Sequence, residues 1–148
     1  MVLKEKIKKL LEDNDFDQLE YLLNNTDLEV WDNVLIDLTF DDKTLISYSL
    51  ICMMLVRRES PKLHSLASAL LSHSLCHIQG AYASALYHIR KAIELDSHDI
   101  GLKEALLFFH EIPDKLVSDS EAKKLIDEIL KEKPSSKCAL GAASRMPR

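Results

Sequence analysis

Glycine and proline are nearly missing from this chain: its 148 residues hold three of the first and four of the second. So few turn formers cannot supply the many tight reversals of a β-sandwich or barrel, and they predict long helices joined by short loops. Cysteine is equally sparse. Cys52, Cys76 and Cys138 follow no framework spacing, and their odd number argues against a disulfide scaffold and for a reducing compartment. No apolar run approaches the ~18 residues that span a bilayer. The stretch from Val2 to Leu11 threads lysines and a glutamate between its apolar positions, so it is not expected to be a secretory signal. These absences predict one cytoplasmic all-α domain, long enough to bury about two-thirds of its unfolded surface.

The other absence is of one charge. Between Leu10 and Asp42 there is no lysine or arginine, while the same 33 positions hold 11 acids: Glu12, Asp13, Asp15, Asp17, Glu20, Asp27, Glu29, Asp32, Asp37, Asp41 and Asp42. The whole chain carries −5, so all 19 basic residues lie elsewhere, against only 13 acids. Some of the 11 are expected as helix N-caps, where carboxylates are favoured. Caps do not account for three successive helices without a compensating base. Two readings stand: a solvated acidic face over an ordinary core with Trp31 buried, or a binding face. A binding face of this charge repels nucleic acid and phospholipid and steers in a basic protein. Phe16, Tyr21, Trp31 and Phe40 fall in the same window, and a half-exposed aromatic among carboxylates makes an anchor. The nominated partner-binding set is Asp13, Asp15, Asp17, Glu20, Asp27, Glu29, Trp31, Asp32 and Asp37.

Helical periodicity organises the rest. A first helix runs from about Val2 to Leu11 and breaks at Asn14–Asp15, where Asp15 caps a second with Phe16, Leu19, Leu22 and Leu23. After Asn24–Asp27, with Thr26 or Asp27 as cap, a third helix carries Leu28, Trp31, Val34, Leu35 and Leu38. Asp41 or Asp42 caps a fourth from Lys43 to Arg58, apolar almost all round between Leu45 and Val56, the pattern of a buried central helix. Ser60–Pro61 opens a fifth that continues to Ile78. Beyond Gly80 lies the best-patterned helix, with Ala81, Ala85, Ile89, Ala92 and Ile93 on one stripe. Ile100 to Glu111 follows. Then Ser118-x-x-Glu121 forms a capping box for a helix ending near Lys133. The tail from Ser135 offers a short helix, Lys137 to Ala143, or frays.

Gly80, Tyr82, Ala85, Ile89, Ala92 and Leu95–Asp96 stand in the order and spacing of a tetratricopeptide repeat, and this stretch resembles one. A degraded copy lies 37 residues on, with Ala122, Ile126, Ile129 and Pro134 at the places of Ala85, Ile89, Ala92 and Ser97. The family's period is about 34 residues, so the surplus falls near Ile112–Asp114. Asn14–Leu19 echoes the same turn before a helix. Ala69 and His73 depart from the tryptophan and glycine that the family prefers. The resemblance implies helical hairpins stacked as a short right-handed superhelix over residues 1–134, with repeats at 66–99 and 103–136 and a tail at 135–148.

Candidates for chemistry are thin. His73, Cys76 and His77 share a helix face at i, i+3 and i+4, and could hold zinc if His88 or Glu94 completed the set. Cys76 beside His77, or Cys52 with a distant histidine, would be a nucleophile and base, but no glycine-flanked elbow or oxyanion loop accompanies them. Acid pairs on a solvated face lack the burial that separates pKa values. With only Gly80, Gly101 and Gly141 there is no phosphate loop. The basic clusters at Lys4–Lys9, Arg57–Arg58 and Lys123–Lys124 are scattered and mostly balanced by neighbouring acids, which argues against nucleic-acid binding. The expectation is a non-enzymatic protein-binding module without cofactor or metal. Cys76 to Tyr82 and Glu104 to Phe109 resemble the helical immunity proteins of bacterial polymorphic toxins, which implies a blocker of a basic toxin, often a nuclease. The alternative is a tetratricopeptide adaptor or scaffold holding a peptide in a concave groove near His73, His77 and Leu106.

Overall fold

The computed structural model describes residues 2–41 and 44–147, apart from the side chains of Leu28, Phe40 and Asp41. Among these residues nine helices and no strand occur: α1 (Leu3–Glu12), α2 (Phe16–Asn24), α3 (Leu28–Asp41), α4 (Leu45–Arg57), α5 (Pro61–Ser72), α6 (Ala81–Leu95), α7 (Ile100–Glu111), α8 (Asp119–Glu132) and α9 (Lys137–Arg145). The chain is all-α, and no described helix is long and apolar enough to cross a membrane.

Local chemistry sets most helix ends. Asn14 follows α1 with φ +55°, a left-handed conformation that asparagine tolerates. Asp15 caps α2, its Oδ1 accepting from the Gln18 N–H at 3.1 Å. Ser60, just before Pro61, does the same for α5 through Leu63 at 3.1 Å, and Asp99 for α7 through Leu102 at 3.4 Å. Gly80 precedes α6 at φ +82°, where any other residue would be strained.

Three expectations need correction. Thr44 caps α4 through the Ile46 N–H at 3.3 Å; Asp41 ends α3, while Asp42 and Lys43 lie outside the described residues. Helix α5 stops at Ser72 rather than Ile78, and turns fill residues 73–80. There the Ser74 hydroxyl donates to the Thr39 carbonyl at 2.9 Å, a tie to α3 that competes with continued helix. In the capping box, Ser118 Oγ accepts from the Glu121 N–H at 3.2 Å, but the Glu121 carboxylate takes the Arg90 guanidinium at 2.6 and 3.0 Å. Of the two options for the tail the helical one is seen, as α9: Ala139 and Ala142 are buried, and Arg145 grips Glu111 through two bonds of 3.1 Å.

One hydrophobic cluster runs from Ile7 to Ala142. The closest pairing is α5 with α6, where Ala85 and Ala92 lack the bulk to hold the helices apart and are fully buried. Helix α7 packs on α6, α8 on α7, and α9 on both α7 and α8, while α3 and α4 reach the same body through α5. Ala122, Ile126 and Ile129 of α8 are buried as their counterparts Ala85, Ile89 and Ala92 are in α6. Helix α4 is not the fully buried rod its composition predicts. Ser47, Leu50, Ile51 and Met54 face the core, whereas Leu45 is 53% and Val56 88% exposed.

Candidate functional site

The acidic segment runs from the end of α1 through α3, and its carboxylates divide by what they touch. Asp15 is committed to capping α2. Glu20 pairs with Arg57, which also donates to Asn24 Oδ1 at 2.9 Å and so binds α2 to α4. Asp32 is only 9% exposed and pairs with Lys62 of α5 at 3.2 Å. Asp37 meets Lys4 of α1 at 3.8 Å. The bases missing from the segment are therefore supplied to these three acids by other helices, a neutralisation invisible to a linear count. Glu12, Asp13, Asp17, Asp27 and Glu29 are exposed and form no ion pair with another described residue. Of the nominated set, Asp13, Asp17, Asp27 and Glu29 remain available to a partner.

Trp31 is not an anchor in this fold. Its side chain is fully buried, and its indole N–H has no hydrogen-bond partner among the described residues. Its helix, α3, packs on α1, α4 and α5.

An apolar feature lies elsewhere in the segment. Between α2 and α4 runs a groove of about 600 Å³, with Phe16 on one wall and Tyr48, Cys52, Met53 and Val56 on the other. Asp17 and Glu20 line its acidic side. Positions 45, 49, 52, 53 and 56 recur every three or four residues, so the open stripe of α4 is opposite the one that enters the core.

Behind the groove is a buried polar chain that periodicity gave no means of finding. Glu59 Oε1 lies 2.8 Å from His64 Nε2, His64 Nδ1 lies 2.9 Å from His88 Nδ1, and His88 Nε2 lies 2.8 Å from the Tyr48 hydroxyl. Both imidazoles are at most 5% exposed. A carboxylate only accepts, so His64 donates from Nε2 to Glu59. His88 then joins His64 to Tyr48, bonded to each through one ring nitrogen. Burial, with His64 as a lesser cause, pushes the His88 pKa down to about 4. Burial and then Cys52 push the Tyr48 phenol up to about 12. Proteins usually place histidine on surfaces, so a residue-by-residue reading had no signal that His64 and His88 would meet across α5 and α6.

The candidates for zinc and thiol chemistry do not share the face expected of them. His73, Cys76 and His77 lie beyond the end of α5, in turns, all three exposed. Among the described residues no group of three or more histidines, cysteines or carboxylates could hold a metal ion. Near the expected peptide groove, His73 lines a cleft of about 170 Å³ with Ala105 and Phe108, while Leu106 is buried and His77 stands outside the lining. Comparison with family models, curated proteins and solved structures finds no match to this chain.

Proposed function

We propose that this chain is a non-enzymatic binding module for a basic protein, acting as an immunity-type inhibitor through the acidic segment that runs from the end of α1 through α3. One observation carries the reading: Asp13, Asp17, Asp27 and Glu29 stay exposed and unpaired among the described residues in a stretch that contains no base. Unpaired exposed carboxylates keep their full field for a partner, whereas Glu20, Asp32 and Asp37 spend theirs on neighbouring helices. The partner is a protein whose own substrate pocket is basic, such as a nuclease, and the carboxylates occupy the place of its phosphates. Working in the cytoplasm, the inhibitor acts by stoichiometric blockade. The scaffold is read as a short tetratricopeptide-like superhelix, which the matching burial of Ala85, Ile89 and Ala92 with Ala122, Ile126 and Ile129 supports.

Affinity capture from the native source, eluted with a salt gradient, tests this reading. The immobilised protein should retain one basic protein that moderate salt releases, and the triple variant D13K/D17K/E29K should retain it at least about tenfold less. Equal retention by the variant would remove the acidic segment from consideration.

A further inference from the structure

The apolar stripe of α4 is the least expected surface on this molecule. A helix that is apolar all round is normally covered, yet Val56 is 88% exposed, Leu45 53%, and Met53 and Cys52 are only half-buried. Cys52, Met53 and Val56 of this stripe, with Tyr48, form one wall of the α2–α4 groove, opposite Phe16, while Leu45 lies outside it.

Charge narrows what fits there. The one basic side chain lining the groove, Arg57, is engaged by Glu20 and Asn24. Asp17 has no ion-pair partner among the described residues. A site with an apolar wall and an unpaired carboxylate, and with its one lining cation already paired, selects a ligand that is apolar on one side and cationic at its margin.

We propose that the groove between α2 and α4 seats an amphipathic helix of the basic protein partner, its apolar side against Phe16, Met53 and Val56 and a flanking lysine or arginine at Asp17. This rests on the acidic-segment reading above and assigns it the apolar anchor point that buried Trp31 cannot provide. The unpaired carboxylates of Asp13, Asp27 and Glu29 draw the partner in, and the groove holds it.

The test uses the full chain, isotope-labelled for backbone amide spectra, and three synthetic peptides as probes. The first is an amphipathic leucine–lysine helix, the second a leucine–glutamate helix of the same pattern, the third a scramble of the first. The leucine–lysine helix should move the signals of Phe16, Asp17, Tyr48, Met53 and Val56, and bind more tightly than its scramble. Val56→Lys changes an exposed side chain and so spares the fold; it should weaken the leucine–lysine helix by about tenfold. If that helix instead perturbs only the surroundings of Asp13, Asp27 and Glu29, and Val56→Lys binds it as the parent does, the groove assignment is wrong while the acidic segment stands. Binding of the leucine–glutamate helix at least as tightly would sink both. So would the absence of any shift with any peptide.

Discussion

At the scale of single residues, burial decides what a side chain does, and Trp31 illustrates it. Its sequence neighbours are Asp32 and, two positions away, Glu29, yet the ring is enclosed in the core. Trp31→Ala should therefore cost about 3–5 kcal/mol in urea unfolding, as large core truncations do. Trp31→Phe should cost much less, because the indole N–H gives up no hydrogen bond. His88 carries a pH signature. Its folded pKa lies near 4, held down first by burial, against an ordinary 6.5 in the unfolded chain. Between those values the unfolded state binds the extra proton, so stability is complete above pH 6.5, falls as pH drops toward 4, and levels off below. The loss should reach about 2–3 kcal/mol across that window, and His88→Gln should remove that part of the slope in denaturation curves recorded over pH. Asp15 and Asp17 are alike in sequence and unlike in role. Asp15→Ala should cost about 1 kcal/mol by uncapping α2, whereas Asp17→Ala should stay within about 0.5 kcal/mol.

At the scale of elements, most helix starts were legible, that of α4 excepted, and helix ends less so. Ser60–Pro61, Asp99 and Ser118 act through their own side chains on a backbone N–H three residues on, or just inside it, so a local reading finds them. The end of α5 depends on Ser74 reaching the Thr39 carbonyl of α3, a contact across 35 positions that no window contains. The open side of α4 was hidden for the same reason. Composition reports that a helix is apolar, and only packing reports which side is covered. Gly80, by contrast, is a purely local requirement. With nothing within 4 Å of an added Cβ, Gly80→Ala meets no clash, and its left-handed φ of +82° should cost about 1 kcal/mol in thermal unfolding. The Arg90–Glu121 pair ties α6 to α8 but is partly exposed, so Glu121→Gln should cost no more than about 1 kcal/mol.

At the scale of the whole molecule, charge is distributed unevenly along the chain and then partly rebalanced in space. Arg57, Lys62 and Lys4 come from α4, α5 and α1 to meet Glu20, Asp32 and Asp37. Among the described residues, what remains unpaired is the smaller group of Glu12, Asp13, Asp17, Asp27 and Glu29, which is where a field that steers a basic partner would originate. The direct measurement is the association rate constant with the captured partner over a series of salt concentrations, for the parent chain and for D13K/D17K/E29K. Steering by these carboxylates predicts a rate that falls steeply as salt rises, at least about tenfold slower at low salt in the variant, with the two converging at high salt. A parent rate that is flat in salt and matched by the variant would contradict the account.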